Sequence, residues 1–364
     1  MSLMKMALLP ACIALSLTGC GGGSDSVKDK LHNIGDHLEN IVNKVDEAAD
    51  GAKLAHTEAD FIEALTKDGA RVNGSPAAAA AAEWIRDKLD RYGYTVQEQH
   101  YASGVNVIAD IPGNNPDKML IVGAHYDTKK GTDSGDAGVI DNAAGVATLV
   151  GMAKQFKDEH PDYTIRMVFF GAGEAGQQGS KYFVEQMSQD DLNATLGMIN
   201  LDTIVGGDNL YLEAPAASQF QCANPQVDTL LRDKLLSVTE NHDINPLKMK
   251  YLASEIDASN DLAAFACAGI SSVNIESTNM DIYGQSGQDG VSQTTNSAFW
   301  STGFDQNSMT ATDPQTEQDW GVIRHTGNDN MARLKATHVW TSVIEGQLTV
   351  HNSVLHHFLK HPGL

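Results

Sequence analysis

Apolar runs alternate with amphipathic segments from Ala55 to the end of the chain. Short apolar runs lie in the segments MLIVGAHYD, TIRMVFFGA, LGMINLD and ISSVNIES, and their length favours buried strands. Between them, segments such as AGVATLVGMAKQF and QVDTLLRDKLLSV carry apolar residues at helical spacing. This alternation predicts an α/β fold in which a mainly parallel sheet is sandwiched between helices.

The two ends of this series add detail to the predicted sheet and its cover. The segments TVQEQHY and VNVIADIPG come first and predict an antiparallel pair, which gives the sheet one mixed edge. The chain closes with LKATHVWTSVIEGQLTVHNSVLHHFL, which predicts a helical end.

Residues 279–320 break the pattern, because they are rich in Gln, Ser, Thr, Gly and Asn. A long loop inside a compact domain is usually functional or disordered. Interspersed aromatic residues favour an ordered lid, and we expect this insertion to form part of a pocket wall. The aromatic residues are Tyr283, Phe299, Trp300, Phe304 and Trp320.

Residues 1–20 have the features of an export signal. Lys5 precedes a short apolar stretch, residues 6–17, which is too short to span a bilayer. The letters LTGC that follow resemble a bacterial lipobox, so we expect lipid on Cys20. The chain would then be exported and lipid-anchored in the bacterial envelope, at its periplasmic or outer-membrane face. An ordinary signal peptide with an incidental cysteine is the alternative.

Residues 21–54 separate this signal from the main domain. They begin with a polar tether, GGGSDS, and continue with apolar side chains at helical spacing, which predicts an amphipathic helix. Residues 55–364 then form one domain that contains the 279–320 insertion.

The chain has four cysteines. Cys12 leaves with the signal and Cys20 carries the expected lipid, so Cys222 and Cys267 remain. An oxidising compartment allows these two to form a disulfide. Two separate buried thiols are the alternative.

The formal net charge of −22 argues against nucleic acid as a partner, because phosphate binding needs a basic face. No lysine or arginine occurs between Lys250 and Arg324. An acidic surface favours cationic ligands, including a free peptide amine. Plain solubility or salt adaptation explains the charge equally well.

Five residues with metal-binding side chains follow one another in readable contexts: His125, Asp141, Glu174, Asp202 and His325. The first, third and fourth of them each end or follow an apolar run, and strand carboxyl ends are where open α/β sheets build their sites. Imidazoles and carboxylates together suit a borderline divalent ion such as zinc. Taken singly, each has an ordinary explanation, such as helix capping. The ordered set predicts a metallohydrolase.

The motifs around these residues carry a resemblance. In order, IVGAHYDT, DNAAG, GEAGQQGS, NLDT and RHTGND resemble the M28 family of zinc aminopeptidases. The segment NLDTIVGGDNLYLEA is similar to the bacterial alkaline-phosphatase isozyme-conversion aminopeptidase branch of that family. The resemblance covers about residues 55–350. It implies a zinc-exopeptidase-like fold, of the phosphorylase/hydrolase-like kind.

The same resemblance implies two divalent ions, most often zinc, with Asp141 as the bridge between them. His125 and Asp202 would complete the protein ligands of one ion, and Glu174 and His325 those of the other. The implied activity is the release of N-terminal residues from peptides or proteins, by a co-catalytic mechanism in which a bridging water attacks the peptide bond.

Two further residues have supporting roles in this expectation. Asp127 lies two residues beyond His125 on the same face of an extended segment, and its carboxylate would hold the far ring nitrogen of that histidine. Asp261, in SNDLAAF, matches a family segment near the substrate pocket. Helix capping explains Asp261 equally well.

One position departs from the family pattern. The family carries two adjacent glutamates at this turn, of which the first is the general base and the second a ligand. Here Gly173 stands at the base position, and a base is worth ~10²–10⁴-fold in rate. Three explanations are open: the chain is an inactive or retuned homologue, another carboxylate such as Glu213 or Glu276 serves as base, or Gly173 is not the natural residue.

Two other functions fit the same residues. A pseudo-peptidase would bind metal and peptide without turnover, as Gly173 suggests. A glutaminyl-cyclase-like acyl transferase would use one zinc ion, and the five-ligand set speaks against it.

Overall fold

The computed structural model describes one domain. It covers residues 53–129, 135–216, 220, 222, 224–241, 243–256, 259–282, 293–300 and 321–364, together with the backbone of 304–305 and 310–311. The chain divides into two compact units, Met1–Glu47 and Ala48–Leu364, and all described residues belong to the second. The expected signal, the lipid site at Cys20 and the tether up to residue 52 lie outside the described residues.

An eight-stranded sheet forms the centre of the domain, in the order β1-β2-β4-β3-β5-β8-β6-β7. Its strands are β1 (Val96–Tyr101), β2 (Gly104–Ile111), β3 (Asn115–His125), β4 (Tyr163–Phe170), β5 (Thr195–Leu201), β6 (Asn209–Pro215), β7 (Tyr251–Ile256) and β8 (Ser272–Thr278).

The central strand pairs of this sheet are parallel, and the pairs at its first edge are antiparallel. β3 pairs in parallel with β4 and β5, β5 with β8, and β6 with β7. The antiparallel pairs β1–β2 and β2–β4 form one edge. The α/β class and its antiparallel edge are thus confirmed.

The sequence reading missed two strands. β6 lies antiparallel to β8, and β7 extends the sheet beyond it. β6 follows Asp202 after a short turn that contains two glycines, and it lies within the segment NLDTIVGGDNLYLEA, which predicts a family motif and no separate strand. β7 is a six-residue edge strand whose middle is partly exposed. Their short runs give little periodic signal.

Helices cover both faces of the sheet. Within the described residues they are α1 (53–66), α2 (Pro76–Tyr92), α3 (Ala144–Phe156), α4 (Gln178–Glu185), α5 (Gln189–Ala194), α6 (Leu230–Thr239), α7 (Leu262–Cys267), α8 (Met331–Ala336) and α9 (Glu345–Lys360). A tight turn, Val139–Ala143, precedes α3, and a wider helical turn, Trp340–Ile344, leads directly into α9.

The predicted helices agree closely with the observed ones where capping residues mark the ends. Ser75 accepts a hydrogen bond from the Ala78 amide at the start of α2, and Gly93 ends this helix at φ 93°. The predicted helical end of the chain is interrupted. His338 adopts φ 61°, which breaks the segment into α8 and a longer helical stretch.

Two apolar clusters lie on opposite faces of the sheet. One packs α1, α2, α3, α6, α8 and α9 against side chains such as Leu120 and Ile199. The other packs α4 and α7 against side chains such as Ile121 and Met198. The alternating directions of adjacent residues along β3 and β5 explain the two layers. The carboxyl ends of β3, β4 and β5 therefore meet at one edge of the helical sandwich.

The 279–320 insertion is described in part. Phe299 and Trp300 are buried, and the backbones of β9 (Phe304–Asp305) and β10 (Thr310–Ala311) form a two-stranded pair. Tyr283 and Trp320 lie outside the described residues. Among the helices that the structure describes, none combines the length and apolar character needed to cross a bilayer.

Candidate metal centre

The five predicted ligands come from four connections at the carboxyl edge of the sheet, because His125 and Asp141 stand at the two ends of the connection between β3 and α3. His125 is the last residue of β3, and Asp202 directly follows β5. Asp141 lies in the tight turn that leads into α3, and Glu174 in the turn between β4 and α4. His325 lies in an irregular segment near the end of the chain, in a left-handed conformation with φ 60°.

The side chains of these residues form two groups of three that share Asp141. In the first group, His125 Nε2 lies 3.3 Å from Asp141 Oδ1 and 3.4 Å from Asp202 Oδ1. In the second, His325 Nε2 lies 2.7 Å from Asp141 Oδ2 and 2.8 Å from Glu174 Oε1. One carboxylate therefore presents a different oxygen to each group.

These residues fit a pair of divalent ions. Each group offers one imidazole and two carboxylates, which is a donor set that zinc accepts. Asp141 Oδ1 is buried, lies beside His125, and makes no hydrogen bond of good geometry within the described part of the chain. A buried carboxylate oxygen without such a bond is costly unless a positive charge compensates it.

The electrostatics of the site show the same demand for positive charge. Burial opposes protonation of His125, but Asp127, Asp141 and Asp202 outweigh it and hold its pKa well above the ordinary range. Burial likewise disfavours protonated His325, yet Asp141 and Glu174 raise its pKa to about 9. The pKa of Asp141 is well below its usual range, because both histidines outweigh the effect of burial.

The carboxylate of Asp127 lies near His125 but makes its closest hydrogen bonds elsewhere. The nearest contact to His125 Nδ1 is the main-chain oxygen of Asp127, at 3.0 Å, whereas its carboxylate oxygen lies at 3.7 Å. The carboxylate instead accepts hydrogen bonds from the amides of Gly173, at 2.8 Å, and Glu174, at 3.2 Å. Asp127 thus ties the end of β3 to the turn that carries the ligand Glu174.

Gly173 lies in close contact with the strand end. A Cβ atom at this position would lie 2.5 Å from the Cβ of His125 and 3.3 Å from a carboxylate oxygen of Asp127. Its φ is not in the left-handed region, in contrast to that of Ala172. The obstacle to a side chain at this position is therefore space and not backbone conformation.

Three residues that the sequence analysis did not single out hold the site together. Asp329 accepts hydrogen bonds from the amides of Ile140, at 2.7 Å, and Asp141, at 3.2 Å. Asn142, joined to Asp141 by a cis peptide bond, donates to the Leu201 carbonyl and accepts from the Thr203 amide, on either side of the ligand Asp202. These bonds link the ligand-bearing turns to one another.

The third residue, Arg71, is fully buried behind the site. It donates hydrogen bonds to the carbonyls of Tyr126, Ala137 and Gly138 at 2.8–2.9 Å. Burial lowers its pKa to about 10, and the surrounding carboxylates partly offset this effect. The sequence offered a signal for Asp329, which ends the motif RHTGND.

Asp261 precedes α7 but does not use its side chain as a cap. It is buried and accepts a hydrogen bond from Ser180 Oγ at 2.6 Å, while Asn260 accepts one from the amide of Leu262. Burial raises the pKa of Asp261 to about 6, and the charge of His125 acts on it in the opposite direction. The structure therefore places Asp261 in the electrostatic field of the site, as a partner of α4.

The two alternative bases lie on neighbouring strands. Glu213, on β6, is buried and accepts a hydrogen bond from Asn274 at 2.8 Å. Glu276, on β8, is buried and lies 3.6 Å from Arg324. Among the described residues, neither belongs to the two ligand groups.

The structure joins Cys222 and Cys267 through a disulfide with a Cα–Cα separation of 5.8 Å. This bond fastens the segment before α6 to the end of α7, the helix that Asp261 precedes.

Comparisons with known proteins point to one family. The profile of peptidase family M28 matches residues 106–343, which is more than half of the chain. The alkaline phosphatase isozyme conversion protein of Escherichia coli is 29% identical over 265 residues, which are 64% of this chain and 74% of that protein.

Solved structures show the same fold at low sequence identity. A leucine aminopeptidase precursor from Bacteroides thetaiotaomicron has a TM-score of 0.58 and 16% identity, covering 84% of this chain and 96% of that one. Glutaminyl cyclase from the same organism has a TM-score of 0.58 and 17% identity, covering 84% and 97%. The solved structures show the fold alone, whereas the family profile shows that the chain belongs to peptidase family M28; it is a metal-dependent aminopeptidase of the hydrolase class.

Proposed function

We propose that the protein removes N-terminal residues from peptides with two divalent ions, zinc in the first instance, held at the shared carboxylate of Asp141. The observation that carries this proposal is the division of its two oxygens, with Oδ1 facing His125 and Oδ2 facing His325. A group that held one ion would not need both oxygens of a buried carboxylate turned toward separate ligand sets.

The chemistry divides between the ions and the chain. Divalent ions held by these residues would polarise the scissile carbonyl and would lower the pKa of a water molecule, so that it loses a proton and supplies the hydroxide that attacks. The chain's own residues position this chemistry: Asp127 fixes the Glu174 turn against the end of β3, and Asn142 fixes the turn of Asp202. The excess of carboxylates over buried cations attracts the free amine of a peptide.

Gly173 bears on the rate. In the family, this position carries the general base. We therefore propose that turnover is slow in this protein and that a carboxylate at position 173 would raise the turnover rate. The 2.5 Å approach of a Cβ to His125 means that any side chain here displaces the ring or the turn. Gly173→Ala and Gly173→Glu introduce the same Cβ, and only the second adds a carboxylate.

The comparison of these two variants therefore isolates the base. With metal content matched, we expect kcat of Gly173→Glu on an aminoacyl chromogenic substrate to exceed that of Gly173→Ala by ~10²-fold or more. KM should change much less, because a base acts mainly in the transition state. Equal kcat values in the two variants would place the base elsewhere.

A second candidate function is peptide binding without turnover, and the bare Gly173 is the observation that favours it. Metal content and aminopeptidase turnover, measured on the same purified sample, separate the two. About two zinc ions with turnover support the proposed activity. Two ions with bound peptide and no turnover support the binding function, and one ion would favour cyclase-like acyl transfer instead.

We further propose that the protein is exported and carries lipid on Cys20 in the bacterial envelope. The disulfide between Cys222 and Cys267 supports an oxidising compartment. Labelled fatty acid should enter the full chain and should not enter a Cys20→Ala variant. Equal labelling of both would contradict the lipid site.

A further inference from the structure

The strongest feature outside the ligand set is the buried side chain of Gln293. It is fully buried and lies within the 279–320 insertion, which the structure describes in part. Its Oε1 accepts hydrogen bonds from the amides of Ile323 and Arg324, both at 2.8 Å. These two residues immediately precede the ligand His325.

The backbone of Gln293 adds two further connections. Its amide donates to the carbonyl of Gly321 at 3.1 Å. Its carbonyl accepts from the amide of Asp208 at 3.0 Å, in the turn that follows the ligand Asp202. One residue thus joins the segment before His325 to the segment after Asp202.

His325 needs such support more than the other ligands do. It lies in no helix or strand and adopts φ 60°, a conformation that residues other than glycine populate rarely. Its side chain is 29% exposed, against 5% for His125. A ligand in a strained and irregular segment keeps its direction only when neighbouring bonds determine it.

The choice of glutamine is informative. Its Nε2 is buried and has no hydrogen-bond partner in the part of the chain that the structure describes. Leaving a buried donor without a partner is unfavourable, so the amide is present for its oxygen. A neutral acceptor serves both amides without adding another negative charge beside the carboxylates of the site.

We infer that Gln293 is a positioning residue for His325, and that it sets the affinity of the Glu174–His325 side of the site for its ion. This inference rests on the proposed two-ion function. Loss of the Oε1 acceptor releases the amides before His325, and lost support behind a ligand typically weakens metal affinity by about 10–100-fold. The His125–Asp202 side should keep its affinity.

Zinc titration by calorimetry and cobalt absorption spectra of the purified full chain test this inference. We expect two ions in the unmodified protein. In Gln293→Leu, one ion should bind as before and the other about 10–100-fold more weakly. Gln293→Glu keeps an acceptor oxygen for both amides, so it should bind the second ion more tightly than Gln293→Leu does. Gln293→Asn withdraws the oxygen by one carbon and should weaken binding in the same direction as leucine.

Asn245→Leu is a matched control, because Asn245 is also a buried amide, which bonds the backbone of Thr239 and Met249 in the turn before β7. It should leave both affinities unchanged. Unchanged affinities in Gln293→Leu, or an equal loss in the asparagine control, would overturn the inference.

A metal-free measurement separates this inference from the two-ion proposal. Hydrogen exchange at the amides of Ile323 and Arg324 should be slow in the unmodified protein and in Gln293→Glu, and fast in Gln293→Leu. Fewer than two bound ions in the unmodified protein would refute the proposed function, while this exchange pattern would still support Gln293 as the residue that holds the segment before His325. Equal rates of hydrogen exchange in all three proteins would refute this positioning role of Gln293, whatever the metal content.

Discussion

The two halves of the metal centre are built by different means. His125 and Asp202 stand at the ends of adjacent parallel strands, and the exposed fraction of the His125 side chain is only 5%. Glu174 and His325 stand in turns; the side chain of His325 is 29% exposed, whereas that of Glu174, at 18%, is no more open than that of Asp202, at 17%. The strand ends are fixed by the sheet itself, whereas the turns depend on single side chains such as Asp127 and Gln293. The two histidines therefore differ in both support and openness to solvent, on either side of the shared carboxylate of Asp141.

The largest effect is expected when both halves of the site lose their ions together. Asp141→Ala deletes the carboxylate that both groups share, so we expect the metal content to fall from about two ions to near zero and kcat/KM to fall by at least about 10²-fold. Elemental analysis after dialysis against zinc checks the first expectation. His325→Ala is the control and should leave one ion on the strand-held side. One ion retained by Asp141→Ala would show that the halves are independent.

A smaller effect on metal affinity should come from Asp329, which holds the turn that carries Asp141. Asp329→Asn replaces one of two acceptor oxygens by a donor, which faces the amide of either Ile140 or Asp141 and loses that hydrogen bond. We expect both ions to bind about 10–100-fold more weakly, in contrast to the one-sided effect of Gln293→Leu. Competition with a chromogenic zinc chelator measures both affinities. A loss of affinity for one ion alone would contradict the expectation that Asp329 supports both halves of the site.

The smallest effect concerns the helical layer behind the strand-held half. Burial raises the pKa of Glu58, in α1, from its ordinary 4.5 to about 8, and Asn352 partly opposes this shift with a hydrogen bond. The folded protein therefore keeps a proton that the unfolded chain has lost between these values. Stability should fall as pH rises from about 4.5 to about 8, and this contribution should then level off.

Glu58→Gln should remove this pH dependence. We expect its Tm, measured without metal, to exceed that of the unmodified protein at pH 9 and to approach it at pH 5, with ~2–4 °C for each kcal/mol recovered. Glu63→Gln, an exposed change in the same helix, is the control and should show no such crossover. Parallel pH profiles for all three proteins would show that Glu58 is not the source.

Apolar runs in the sequence predicted the place of three ligands, and the family motifs that of the other two. The runs that end at His125 and precede Glu174 and Asp202 placed these residues at or after strand ends, as the structure has them. Asp141 and His325 follow no apolar run and depended on the family motifs. Gln293 and Asn142 were missed since each acts through hydrogen bonds to backbone amides, and such bonds leave no spacing signal. β6 and β7 were missed for the related reason that short strands carry few alternating residues.

The bond between Asp329 and Ile140 spans 189 residues, and this has a consequence for how the protein matures. During synthesis, the strands that carry His125 and Asp202 emerge long before the segment that carries His325 and Asp329. Contacts of such long range form late, because loop closure must precede them. The growing chain therefore cannot bring all five candidate ligands together until nearly all of it is available.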